Sequence, residues 1–200
     1  MDMDDVKGLM GALKTPKHLE LLVRDIEPLE DIPTEFFSSE EWPNCESIRE
    51  IRDQSNCGSC WAFGAVEIIS DRICIHSNQT LQTRISAADM LSCCSFCGYG
   101  CGGGYSDSAM NHWYKQGVVT GWLFKNTDYC YPYQFAPCDH HEEGEYGPCG
   151  KITHTPDCVE KCIPEYGKNY KEDRHRAKTV YRVPSQVAKM QTEIMTNGPI

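Results

Sequence analysis

The chain has 200 residues, enough for one domain or a small pair with a sizeable core. Nineteen basic against 29 acidic side chains leave a net charge of −10, and with no basic run the composition excludes nucleic acid and anionic membrane as partners. No stretch of about 18 apolar residues exists to span a bilayer, and an aromatic content of 10% sets the chain apart from disordered sequences.

Residues 1–31 contain no cysteine and carry more acid than base. Leu9-Met10 and Leu19, Leu21, Leu22 and Val23 predict short amphipathic turns, which Pro16 and Pro28 interrupt. The segment reads as a leader or extension beside a stapled body. Four helices are predicted after it. From Trp61 to Cys74 the apolar residues 61, 62, 65, 66, 69 and 73 follow the spacing of a buried face. Ser86-Ala-Ala-Asp89 has the capping-box pattern ahead of Met90 and Leu91. Ser106 to Gln116 has an N-cap candidate and ends at Gly117. Ser185 to Thr196 is stopped by Gly198-Pro199. Val180, Tyr181 and Val183 predict a short strand, and no internal repeat is present. Between Tyr129 and Tyr170 no period is sustained, and five cysteines (130, 138, 149, 158, 162) argue for an ordered, stapled loop.

Thirteen cysteines point to an oxidising compartment, where twelve can pair and one is left free or linked to another chain. The sequon Asn78-Gln79-Thr80 points the same way. The acidic start, Met1-Asp-Met-Asp-Asp5, shows no signal peptide, so the expectation is that the true start lies upstream.

The densest motif is Asp53-Gln54-Ser-Asn-Cys57-Gly58-Ser59-Cys60-Trp61-Ala62-Phe63. Cys57-x-x-Cys60 admits a redox dithiol, although no βαβ pattern surrounds it. Cys93-Cys94-x-x-Cys97-x-x-x-Cys101 admits a zinc site, although adjacent cysteines suit one tetrahedron poorly and no spaced histidine pair follows. A third reading makes every cysteine structural, with Cys60 a small buried hydrophobe. In the fourth, Cys60 is a nucleophile. The positive end of a helix dipole favours its thiolate, its backbone N–H helps bind an oxyanion, and the Gln54 side-chain amide supplies a second donor.

Gln54-Ser-Asn-Cys-Gly-Ser-Cys-Trp-Ala-Phe63, Ser70-Asp-Arg-Ile-Cys-Ile75, Cys101-Gly-Gly-Gly-Tyr105 and Pro137-Cys-Asp-His-His141 resemble the cathepsin B-like branch of the papain-family cysteine proteases over residues 32–200. The resemblance implies an α+β papain-like fold, truncated before its β-rich second domain, in an enzyme that hydrolyses peptide bonds with no cofactor and no metal. Residues 1–31 become the tail of a propeptide, and residues 130–156 an occluding loop that gives dipeptidyl-carboxypeptidase activity. Gln54 becomes the oxyanion donor. Trp61, Gly103 and Gly104 join the substrate-binding surface, and His140 and His141 hold a substrate's C-terminal carboxylate. The implied disulfides are Cys45–Cys74, Cys57–Cys101, Cys93–Cys158, Cys94–Cys97, Cys130–Cys162 and Cys138–Cys149. A lysosomal or secreted monomer is implied, acting on peptides or proteins and open to cystatin-type inhibitors. Two departures are Asp139 in place of the family's usual Glu and one residue fewer between Cys94 and Cys97.

A thiol protease also needs a histidine and an orienting asparagine about 130–150 residues after the cysteine. The last histidine is His175, which falls short of that range, and no Gly-His or Asn-Ser-Trp occurs. His112 falls in a predicted helix, where a packing role is expected. The expectation is a fragment of a longer enzyme, inactive as it stands. The alternative is a non-catalytic binding protein on the same fold.

Overall fold

A computed structural model describes residues 3–140 and 143–200. The described residues form six α-helices: α1 (Met3–Leu9), α2 (Ser38–Glu41), α3 (Cys60–His76), α4 (Ala87–Cys93), α5 (Ser106–Lys115) and α6 (Val187–Asn197). Short 3-10 turns and long irregular segments join them. No helix among these residues is long and apolar enough to cross a membrane.

Helix α3 is the axis of the core. Ala62, Val66 and Ile69 are fully buried, and Trp61, Phe63 and Ala65 are nearly so. The helix is enclosed on most sides, with α4 and α5 packed against it. Even Ser70 is buried, and it satisfies itself by donating to the Val66 carbonyl (2.6 Å) and accepting the Ile85 N–H (3.0 Å).

Helix α4 starts where the capping pattern predicts. The Ser86 hydroxyl oxygen accepts the Asp89 N–H at 3.0 Å. The reciprocal half of the box does not form, because the Ser86 N–H donates to the Val119 carbonyl. Asp89, 1% exposed, turns instead to the core, accepting from the Val119 N–H (3.1 Å) and the Tyr170 hydroxyl (2.5 Å). A local motif is thus spent on a tertiary tie. Helix α5 has Tyr105, not Ser106, as its N-cap, and Gly117 follows it at φ +82°. Helix α6 begins two residues later than predicted and stops at Gly198, φ +92°. The strand predicted at 180–183 reduces to one bridge, Val23 with Arg182. Strand pairing among the described residues consists of isolated bridges, so the fold here is mainly helical.

Six disulfides staple the body: Cys45–Cys74, Cys57–Cys101, Cys93–Cys158, Cys94–Cys97, Cys130–Cys162 and Cys138–Cys149. These are the pairs implied by the resemblance, and Cys60 is the free cysteine. The redox reading falls because Cys57 is bonded to Cys101. The zinc reading falls because all four of its cysteines are in disulfides.

A buried ionic cluster backs α3. Arg84 is bound to Glu50 and Glu46, and Arg52 donates to the Ile85 carbonyl at 3.1 Å, with Glu67 and Asp71 close by. Burial pushes the Asp71 carboxyl up to about 6, against the pull of Arg52. Between its unfolded value near 3.8 and about 6, the folded chain therefore holds a proton that the unfolded chain releases. Stability from this group is present at acid pH and declines as pH rises through that window. Asp71→Asn is expected to raise Tm at pH 7 by about 2–4 °C and to leave it unchanged near pH 4, read by thermal denaturation. Equal shifts at both pH values would show that Asp71 does not titrate there.

Candidate active site

Cys60 is the first residue of α3, half-buried, with Ser59 as the N-cap. The chain reaches it through an irregular segment that a tyrosine fixes in place. The Tyr133 hydroxyl donates to the Gln54 carbonyl at 2.8 Å and lies 3.0 Å from the Ser59 hydroxyl. Burial pushes the Tyr133 phenol up, so it stays a neutral donor. Its ring stands edge-on to Phe63 (4.9 Å) and Phe135 (5.4 Å). Tyr133 thereby locks Gln54 and the start of the Cys60 helix to one another. Sequence reasoning missed it, because it lies about 75 residues away within the aperiodic loop.

Gly103 and Gly104 form a ledge beside the helix. A Cβ on Gly104 would stand 2.6 Å from the Trp61 ring and from the Cys97 carbonyl, and Gly103 sits at φ +105°. Trp61 is 1% exposed and donates from Nε1 to the Gly100 carbonyl at 3.1 Å. Trp61 thus backs the ledge while residues 11–13 lie on it.

The ledge is occupied by the chain's own leader. The Gly104 N–H donates to the Gly11 carbonyl (2.8 Å) and the Leu13 N–H to the Gly104 carbonyl (2.9 Å), in a parallel bridge at Ala12. The Gln54 Nε2 group donates to the Leu9 carbonyl at 3.0 Å. A Cβ on Gly11 would lie 1.8 Å from the Gly58 carbonyl oxygen, so this close approach needs glycine. Farther along, Asp107 accepts from the Thr15 hydroxyl (2.7 Å) and the Leu21 N–H (3.1 Å). Arg182 pairs with Glu20 at 3.0 Å, and Lys189 with Asp25 at 2.9 Å. The leader is therefore an extended strap held by main-chain bonds at the cleft and by ion pairs beyond it.

The 138–149 loop closes the other side. Asp53 joins it to the segment before Cys60. Asp53 Oδ1 lies 3.4 Å from His140 Nε2, and Oδ2 accepts the Cys138 N–H at 3.3 Å. Leu9, Ile51, Arg52, Asp53, Gln54 and His140 line an open pocket here. His141 lies outside the described residues. Asp139 organises the turn, its Oδ2 accepting N–H groups from Gly144, Tyr146 and Gly147 at 2.7–3.2 Å. The ligand atoms of Cys138, His140 and Cys149 lie within 4.8 Å of one another, but the disulfide has consumed both thiolates that a metal would need.

His112 and His175 have structural work. Burial pushes His112 down to about 4, and its ring stands edge-on to Phe96 at 5.7 Å. The main chain of His175 pairs with Val118. Asn78 is exposed at the far end of α3.

The family model for papain family cysteine proteases matches residues 32–200. A cathepsin B-like cysteine proteinase of Schistosoma japonicum is 43% identical over 99% of this chain and 59% of that protein. Cathepsin B-like cysteine proteinase 6 of Caenorhabditis elegans is 45% identical over 96% of this chain and 52% of that protein. Among solved structures, proCathepsin B S9 from Trypanosoma congolense is similar with a TM-score of 0.79 and 31% identity, over 98% of this chain and 60% of that one. The chain thus spans between 52% and 60% of the length of these relatives.

Proposed function

The chain belongs to the papain family of cysteine proteases, and on that premise we propose that it is the nucleophile-bearing part of a cathepsin B-like peptidase in a latent, leader-bound form. The observation that carries this reading is the peptide carbonyl of Leu9 on the Gln54 amide, with the main chain of residues 11–13 paired to the glycine ledge. An extended peptide occupies the cleft where a substrate would lie.

In the reaction, the Cys60 thiolate attacks the carbonyl carbon of the scissile bond. The oxygen becomes an oxyanion, which accepts from Gln54 Nε2 and from the Cys60 N–H at the helix end. Collapse expels the amine, which takes a proton from the imidazolium of a histidine partner, and water, giving its proton to the imidazole so freed, then hydrolyses the thioester. Residues 1–200 contain no Gly-His motif of the kind the family uses for that base. The leader, which we read as a propeptide ending near Ile32, blocks the first step because its own carbonyl already sits on the oxyanion donor.

The 138–149 loop supports carboxypeptidase action. Asp53 holds His140 at the edge of the pocket next to Gln54, where its imidazole can meet a substrate's terminal carboxylate. The full-length enzyme, freed of its leader, is expected to release dipeptides from a peptide with a free C-terminus and to spare its amidated counterpart. His140→Ala should cut dipeptide release about tenfold, by the loss of one charge-assisted contact of roughly 1.5 kcal/mol, while internal cleavage persists. No cleavage by the leader-free enzyme would defeat the peptidase reading. Equal release from both peptides would defeat only the role of the loop. Six disulfides and peptide substrates fit a lysosomal or secreted setting.

A further inference from the structure

We propose that Asn78 is a carbohydrate attachment site, an N-linked glycan carried on the end of α3 remote from the nucleophile. The triplet Asn78-Gln79-Thr80 meets the acceptor rule, with Thr in the third position and no proline between. The triplet alone is weak, and the fold supplies the rest.

Asn78 and Thr80 are exposed in the turn that follows α3, and Asn78 sits at φ +53°. The helix end is closed by main-chain groups. The N–H groups of Ser77, Asn78 and Gln79 donate back to the carbonyls of Ile73, Ile75 and Cys74. The Asn78 side-chain amide makes no hydrogen bond among the described residues, so a sugar there displaces nothing. Thr80 makes one exposed contact, to the Ser77 carbonyl at 2.7 Å. Nearby, Gln79 and Gln82 tie the turn to residues 44–46, so the site is rigidly backed while the acceptor itself points to solvent.

Helix preference alone accounts for part of this pattern. A left-handed residue after a helix is usually Gly and sometimes Asn, so Asn78 could serve conformation only. That explanation does not require Thr80, and it does not require an oxidising compartment. Six disulfides place the folding of this chain in such a compartment, where glycan transfer also occurs. The co-reactant is a lipid-pyrophosphate-linked oligosaccharide. The Asn78 amide nitrogen bonds to its anomeric carbon, the bond from that carbon to the pyrophosphate oxygen breaks, and the pyrophosphate leaves with the electron pair. The amide proton passes to a base on the transferase.

The 17 residues of α3 separate the two ends by about 25 Å at 1.5 Å per residue. The glycan is therefore attached far from Cys60 and from the residues that cross the start of α3. It lies beside Leu81, which is 54% exposed, and would shield that apolar surface.

The test uses the protein secreted from eukaryotic cells and deglycosylated with peptide N-glycosidase in heavy-oxygen water. We expect a drop in mass by the glycan and conversion of Asn78 to a labelled aspartate in the peptide spanning residues 73–82. Thr80→Ala and Asn78→Gly should each abolish the mass shift with six disulfides and peptidase activity intact, and Thr80→Ser should retain it. An unmodified Asn78 in the disulfide-bonded protein would overturn the proposal, as would a shift that survives Thr80→Ala. Peptidase activity is read separately, so failure here leaves the catalytic reading standing.

Discussion

Replacing Cys60 by alanine is expected to reduce peptide hydrolysis by the leader-free enzyme on the order of 10⁴-fold or more, the scale seen when a covalent nucleophile is removed. The same substitution should abolish labelling by iodoacetamide near pH 6, because the other twelve cysteines are all in disulfides. One alkylated site per chain, mapped by mass spectrometry to the peptide carrying Cys60, is the expected wild-type result. Labelling should be slower while the leader is bound, because residues 8–13 cross the cleft at the start of α3. Hydrolysis undiminished in Cys60→Ala would remove the nucleophile from the mechanism. Labelling spread evenly over many thiols would mean that the disulfide set is not formed.

The features legible in the sequence were those with a local cause. Helix α3 follows from apolar spacing, and the start of α4 follows from the Ser86 hydroxyl and the Asp89 N–H, three residues apart. Gln54, Cys60 and the glycine ledge lie in short motifs, and Gln54 and Gly104 both bond to one stretch of the leader, residues 9–13. The features that escaped were non-local. No spacing rule links Asp53 to His140, or Tyr133 to Gln54, because each pair meets only after the stapled loop has folded back. Asp89 looked like half of a capping box, but burial gave its carboxylate stronger partners in Val119 and Tyr170. Val180, Tyr181 and Val183 predicted a strand, but the segment pairs with the leader at a single bridge, Val23 with Arg182. The leader itself read as an appendage, since nothing in its composition shows that Gly11 must fit against Gly58.

Removing one partner of the Arg72–Glu193 pair is expected to destabilise the chain by about 3–5 kcal/mol, since the survivor is left charged and buried. The two side chains meet at 2.9 Å, with Glu193 only 2% exposed. Arg72 also donates to the Pro199 and Gly198 carbonyls (3.0 and 3.3 Å), and Glu193 accepts from Tyr181 (2.7 Å) and Asn197 (3.1 Å). Together these bonds fasten α6 and the residues after it to the same helix that presents Cys60. Burial pushes the Glu193 carboxyl up, but Tyr181, Arg72 and Asn197 outweigh it and hold the group below its ordinary value of 4.5. A depressed acid contributes stability above its unfolded value, and that contribution is lost as pH falls through the folded one. Arg72→Met should therefore cost most near neutral pH and progressively less below pH 4.5, measured by urea unfolding across the range. Combining it with Glu193→Leu should recover part of the loss, because two apolar side chains leave no orphaned charge. An additive double mutant would mean that the pair is not coupled and that α6 is held by its other contacts. Coupling of the expected sign would make Glu193 one source of acid sensitivity in this fold, whereas Asp71 favours the folded chain as pH falls toward 4.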